Sequence, residues 1–334
     1  MKKYKLLFMS TMIMGTMISV SSYTWMGMWM GLEINLISII PLLSNKDVFS
    51  SEASIKYFIT QALASAILMF SVIIFSLNQE MMTLVLSKTM VMMINSSLLT
   101  KMGAAPFHFW FPEVMEGLSW MNCFIMLTWQ KIAPMVLLMY NASMTMFMAI
   151  IIMLSMLVSG IMGFNQISMR KIMTYSSINH IGWMISALSY SQPIWIIYFT
   201  VYTLISANII LVFNFFKIFF IKQMITLQID SMTKLVLIMN FFSLGGLPPF
   251  LGFVPKWFTI QELVENNQLA LPFVMILLTL LTLLFYMRIT LSSLVLSQKN
   301  DLVSKTKTSS FWMISTNLVV LSGMIMTPLL FSFI

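Results

Sequence analysis

Two stretches, KMGAAPFHFWFPE at 101–113 and GGLPPFLGFVPKW at 245–257, interrupt apolar runs that are otherwise long enough to cross a bilayer. Each proline removes a backbone N–H and crowds the carbonyl one turn back, so each run must kink or break there. Inside a membrane, such a break is tolerated only where protein covers it or where it lines a hydrated cavity. Each also has a lysine close by, Lys101 before Pro106 and Lys256 after Pro249. Gly/Pro-interrupted segments at matching places in two halves of a chain point to a transporter built from inverted repeats, with its working site at the breaks. The plain alternative is a pair of proline kinks in a structural bundle.

The rest of the chain supports a membrane setting. Hydrophobic residues make up 59% of the 334 positions and charged residues 8%, too little polar surface for a water-soluble fold of this size. Apolar runs near twenty residues recur along the whole length, matching a ~30 Å hydrocarbon core. Alternating strands of a transmembrane barrel are not evident. The spacing predicts spans near 4–22, 25–44, 54–77, 82–111, 122–141, 143–167, 171–190, 193–216, 235–260, 270–297 and 309–333. The chain is therefore expected to be an all-α polytopic membrane protein of about eleven helices. MKKYK followed by an apolar run superficially resembles a secretory signal, but no small-residue cleavage site follows, so it is read as a retained first span.

Charge distribution tests this count. Lys2, Lys3, Lys5, Lys46, Arg170, Lys171, Lys217, Lys222, Lys234, Lys299, Lys305 and Lys307 all fall on one side, while Glu80, Glu262 and Glu265 fall on the other. By the positive-inside rule, the basic side and the N-terminus face the inner, negative compartment. Lys88 is ambiguous and can snorkel to the opposite surface. The net charge of +8 is thus a topological signal; no basic stripe with interleaved aromatics suggests nucleic acid. A single Cys123 excludes a disulfide framework and any multi-cysteine metal or iron–sulfur site. No GxGxxG, Walker loop or CxxC offers a device for binding a nucleotide.

A second group of charges lies inside the apolar runs: Glu33, Lys56, Lys101, Lys131 and Lys256. Each charge at a helix centre costs roughly 2.5–3.5 kcal/mol on the insertion scale, so a chain that merely sat in lipid would not carry them. Glu33 and Lys56 can keep each other charged if adjacent, and their separation then becomes an electrostatic switch. A static pair, or Lys56 snorkelling to the surface, is the plain alternative. Desolvation or a nearby cation disfavours the charged form of an amine, which suits a lysine that gives and takes a proton. Structural cations are the alternative for Lys101 and Lys131. His108 and His180 are the only histidines; they are too few and too distant for a metal site, and each is a candidate relay. Tyr175, Ser176, Ser177, Asn179, Asn208 and Gln61 are candidates to hold water or simply to pack helices.

KMGAAPFHFWFPEVMEG, EASIKYFITQ, WQKIAP, RKIMTYSSINHIGWM and GGLPPFLGFVPKW together resemble the signature segments of the antiporter-like membrane subunits of respiratory complex I, the NADH:ubiquinone oxidoreductase. The short N-terminus and the WMGMWMGLEINLISIIPLL opening are most similar to the mitochondrial members of animals, arthropods in particular. The resemblance implies that the first three of fourteen bacterial helices are lost. It explains the 37 methionines through mitochondrial reading of AUA in AT-rich genes. It implies a first inverted repeat at 3–141 broken near Pro106, a second at 143–297 broken near Pro248–Pro249, and a C-terminal helix at 309–333. Glu33 and Lys56 become the family's Glu–Lys pair, Lys101 and Lys131 the central carriers, and Lys256 the terminal lysine near the outer exit. Residues Glu262 and Glu265 would accept a proton released there. NADH, FMN, iron–sulfur clusters and ubiquinone are then expected in partner subunits and not in this chain. Other complex I membrane subunits and lipids are the expected partners, in the mitochondrial inner membrane with the N-terminus on the matrix side. A stand-alone cation/proton antiporter of the same fold is the rival reading.

Overall fold

The computed structural model describes residues 3–44, 47–77, 84–141, 146–226, 231–248 and 250–295. Fourteen α-helices occupy them: α1 (Lys3–Ser21), α2 (Trp25–Leu43), α3 (Val48–Leu77), α4 (Leu84–Met102), α5 (Trp110–Gly117), α6 (Trp120–Leu127), α7 (Trp129–Met139), α8 (Met146–Phe164), α9 (Met169–Leu188), α10 (Gln192–Phe216), α11 (Ile221–Thr226), α12 (Ser231–Gly245), α13 (Phe253–Glu265) and α14 (Ala270–Val295). Among the described residues the only β pairing is an isolated bridge between Ser168 and Phe220. The all-α expectation holds.

Among the described residues, seven helical stretches are long and apolar enough to cross a bilayer: Tyr4–Ser21, Trp25–Leu43, Val48–Ser76, Trp120–Met139, Met146–Phe164, Gln192–Phe216 and Ala270–Leu291. Helices α4–α5, α9 and α12–α13 occupy the stretches expected as the fourth, seventh and ninth spans, and are too polar or too short to qualify alone. The span expected at 309–333 lies outside the described residues, as do Lys2, Lys46, Glu80, Lys299, Lys305 and Lys307. The span expected at 122–141 is matched by Trp120–Met139, with one interruption that the sequence does not announce. It divides at Thr128 (φ −115°, ψ −71°) into α6 and α7. The Thr128 hydroxyl donates to the Phe124 carbonyl at 2.7 Å, meeting an acceptor where the regular ladder stops.

The chain divides into two compact units, Met1–Ile151 and Ile152–Ile334. Within the first, α1 and α2 make the most extensive helix pair; a Cβ on Gly31 would sit 2.7 Å from the Ser19 Cα, so the two backbones touch at a crossing that only small residues permit. Within the second, α9 is buried almost throughout, from Ile172 to Leu188. Its Thr174, Ser176, Ser177, Asn179, His180 and Ser186 are shielded by protein, which is how polar side chains survive at membrane depth. Many serines and threonines donate to their own helix, as Ser38 does to Asn35 and Ser177 to Thr174, and so carry no unmet donor into an apolar setting. Outward faces are apolar: Leu7, Met14, Ile37, Leu63 and Phe70 in the first unit, and Leu211, Phe273, Leu280 and Leu284 in the second, are all exposed. Contiguous apolar surface of this kind suits lipid contact.

Candidate functional site

In the first unit the helix break is built from ordinary capping chemistry. Lys101 occupies the last turn of α4 and is only 7% exposed. Gly103 follows at φ +75°, a left-handed conformation that stops the helix at little cost only for glycine. The N–H groups of Gly103 and Ala104 both return to the Leu99 carbonyl, at 3.0 and 3.1 Å. The Trp110 indole, from the first residue of α5, donates to the Thr100 carbonyl at 3.1 Å, and the Gln61 amide reaches the Lys101 carbonyl at 3.4 Å. Side chains thus meet the orphan acceptors of a helix end in a dry setting.

Glu33 of α2 is the acidic group whose charge reaches Lys101. The expected Glu33–Lys56 pair is corrected. Lys56 bonds Glu52 at 3.0 Å, one helical turn away, and Glu113 of α5 at 3.1 Å, and its side chain is 44% exposed. The glutamate that faces Lys56 across the fold is therefore Glu113, brought in by the broken helix. Lys131, in contrast, is 1% exposed and stands 5.7 Å above the Phe111 ring, a cation–π contact from the second half of the same broken helix. His108 lies in the turn between α4 and α5, buried, with its ring 4.4 Å from that of Phe109.

A small polar cavity lies beside Lys101. It is lined by Leu32, Asn35, Leu36, Tyr57, Gln61, Lys101, Gln130 and Pro134. Gln130 donates to Asn35 Oδ1 at 2.9 Å, and the Tyr57 hydroxyl donates to Gln130 Oε1 at 3.3 Å. The sequence reading names Gln61 here but passes over Asn35, Tyr57 and Gln130. The only available signal was a glutamine adjoining a buried lysine in WQK.

In the second unit Gly246 ends α12 at φ +77°, with its N–H bonded to the Phe242 and Ser243 carbonyls. Lys256, buried at 6% exposure in α13, reaches back across the break and donates to the Gly245 carbonyl at 2.7 Å. That places an ammonium at the negative end of a helix dipole. The same Nζ lies 5.8 Å from the Trp183 ring of α9. Gly246 is required by space as well as by φ, since a Cβ there would stand 2.7 Å from Lys256 Nζ. His180 bonds Tyr198 through Nδ1 at 2.8 Å and packs against the Tyr202 ring at 5.0 Å. These three line a second cavity with Val201, Ile205, Ser243, Leu244, Gly252 and Pro255, so His180 opens toward the break that holds Lys256. Neither tyrosine was picked out from the sequence. Glu262, beyond Lys256 on α13, has its carboxyl held above the ordinary carboxylate range by partial burial and by the charge of Glu265.

Among the described residues no group of three or more His, Cys, Asp or Glu side chains is arranged to hold a metal. What the two sites can do is hold and exchange protons: buried amines, an imidazole, hydroxyls and amides beside interrupted backbone.

Comparison with known proteins places the chain in a family. The family model described as NADH:quinone oxidoreductase/Mrp antiporter, transmembrane, matches residues 22–283. The "NADH-ubiquinone oxidoreductase chain 2" of Anopheles gambiae is 46% identical over 333 residues, covering 97% of each chain. Among solved structures, a chain of respiratory complex I from Thermus thermophilus superposes with a TM-score of 0.86 at 21% identity, covering 98% of this chain and 79% of that one. A chain of the Mrp complex from Dietzia sp. superposes at 0.76 with 14% identity, over 96% and 74%.

Proposed function

The chain belongs to the NADH:quinone oxidoreductase/Mrp antiporter transmembrane family, and from that premise we propose that it is a proton-translocating membrane subunit of mitochondrial NADH:ubiquinone oxidoreductase. The observation that carries the proposal is that each compact unit buries a lysine beside a broken helix, Lys131 at 1% exposure and Lys256 at 6%. A chain whose only task was to fill a membrane would not retain such groups.

In this reading Lys101, Lys131 and Lys256 hold protons in turn, and each ammonium has a distinct stabiliser: the Glu33 charge, the Phe111 face and the Gly245 carbonyl. Each stabiliser belongs to a different helix from its lysine, so helix movement alters the preference for the charged form. Two unit charges at about 4 Å attract by about 4 kcal/mol at an effective dielectric near 20, and by about 2 kcal/mol at about 8 Å. A change in the separation of Glu33 and Lys101 would therefore change how strongly the ammonium form is favoured. His180 with Tyr198 serves as a relay in the second unit, and Glu262 and Glu265 form an acidic exit. Lys56, paired with Glu52 and Glu113 at the surface, ties α3 to the α5 half-helix. His108 remains a candidate relay on the strength of its position in the first break.

Hydride and electron transfer, with NADH, FMN, iron–sulfur clusters and ubiquinone, belong to partner subunits; this chain supplies proton movement only. It lies in the mitochondrial inner membrane among other complex I membrane subunits, and the one-sided lysines support an N-terminus and basic loops on the matrix side.

Inverted repeats at 3–141 and 143–297 are supported by a shared register. GAAPFHFWFPE from Gly103 matches GLPPFLGFVPK from Gly246, with Pro106 at Pro249, Phe107 at Phe250 and Pro112 at Pro255. KYFITQALAS from Lys56 matches IYFTVYTLIS from Ile197, and EINLI from Glu33 matches SINHI from Ser177.

The test is Lys131→Met in the assembled complex in sealed vesicles, reading protons moved per electron. The expected result is a lower ratio with the complex still assembled; a normal ratio would falsify the carrier assignment. On native gels the chain should run within a very large assembly, whereas a stand-alone antiporter would migrate alone.

A further inference from the structure

Gln130 stands where three features of the first unit converge. It is the second residue of α7, directly after the interruption at Thr128 and directly before Lys131. Four residues on, Pro134 has no N–H to return to the Gln130 carbonyl, so the turn from Trp129 to Ala133 is bounded by a weakened helix bond on each side. Its side chain, meanwhile, is clamped. The amide donates to Asn35 of α2, and the amide oxygen accepts from Tyr57 of α3. Asn35 lies two residues beyond Glu33, and Tyr57 directly follows Lys56. All three clamp residues line the cavity that also holds Lys101.

We propose that Gln130, held by Asn35 and Tyr57, is a gate controlling hydrogen-bonded contact between the Lys101 cavity and Lys131. An amide suits the task because it is neutral at every working pH. It can pass or refuse a chain of hydrogen bonds, yet it cannot hold the proton itself. Movement of α2 or α3, the helices carrying Glu33 and Lys56, opens the clamp and frees the short turn that bears Lys131. The second unit supplies a contrast. Asn179, at the register of Asn35, donates to Thr282 of α14 at 3.5 Å, and the next residue is Leu283. There is no such clamp: Tyr198, at the register of Tyr57, bonds His180 and not the partner of Asn179. A gate is needed only where two carriers must be kept apart.

The inference rests on Lys101 and Lys131 being carriers, so Lys131→Met is the reference in every measurement. In the assembled complex in sealed vesicles, Gln130→Leu is expected to lower protons per electron to the level of Lys131→Met. Gln130→Glu can still accept from Tyr57 and take a bond from a reoriented Asn35, and is expected to keep the ratio with an altered pH profile. Tyr57→Phe removes only the hydroxyl that steadies the gate and is expected to raise passive proton leak at rest several-fold. A wild-type ratio in Gln130→Leu alongside a lowered one in Lys131→Met overturns the gate alone. A normal ratio in Lys131→Met removes the carrier reading and the gate with it. If Gln130→Leu does not assemble, Tyr57→Phe decides, and unchanged leak with an unchanged ratio overturns the proposal.

Discussion

The two units use one backbone device and load it with opposite charges. Each ends a helix on a left-handed glycine, Gly103 at φ +75° and Gly246 at φ +77°, and each restarts it after a proline-containing turn. At the tenth residue after the glycine, however, the second unit has Lys256, buried and bonded to the Gly245 carbonyl, whereas the first has Glu113, paired with Lys56 in an exposed position. The first unit places its own buried cation two residues before the glycine, at Lys101, where the second has Leu244. The break is therefore the common element, and the charge can be mounted on either side of it. A helix end presents carbonyls on one side and amides on the other, and a cation is favoured by the carbonyl end from wherever it approaches.

The comparison can be broken hardest at the glycines. Gly246→Val should abolish accumulation of the assembled complex, measured on native gels, because the Cβ meets Lys256 and the left-handed backbone adds about 1–2 kcal/mol of strain. Gly103→Ala bears the same strain, but its Cβ meets only the Phe111 side chain at 3.2 Å, so part of the complex should survive. Equal loss in both would show that the backbone alone decides. A smaller effect is expected from Tyr198→Phe, which removes the hydroxyl partner of His180 and about 1 kcal/mol of hydrogen bonding. Proton translocation should fall several-fold at most, with its pH profile displaced; an unchanged profile would take His180 out of the relay. The smallest effect belongs to Glu113→Gln. Exposed pairs are screened, and Lys56 keeps Glu52, so the melting temperature of the complex should not move measurably. Lys256→Gln, at the same register position, should lower protons per electron sharply. If the two substitutions behaved alike, the distinction between buried and exposed charge would fail.

Much of this was legible in the residues. The breaks at Pro106 and Pro248–Pro249 follow from missing amides, and the burial of Lys131 and Lys256 follows from their place inside apolar runs. Three features could not be read. The break at Thr128 has neither glycine nor proline at its centre; a hydroxyl bonding back to Phe124 and tertiary packing make it. The partner of Lys56 was misassigned to Glu33 because the two lie on consecutive spans, while Glu113, 57 residues away, arrives only when the broken helix is folded. Gln130 was passed over because a neutral amide carries no penalty that would mark it.

The burial of α9 also bears on how the protein is made. A segment with Thr174, Ser176, Ser177, Asn179 and His180 on it partitions poorly into lipid by itself, because insertion is decided by the summed transfer energy of each segment. Its cover comes from α8 before it, through Ser155 and Met156 at Gly182, and from α10, α13 and α14 after it. The polar side chains of α9 are therefore only part-covered by the helix made before it, and their burial is complete only once α10, α13 and α14 have been synthesised.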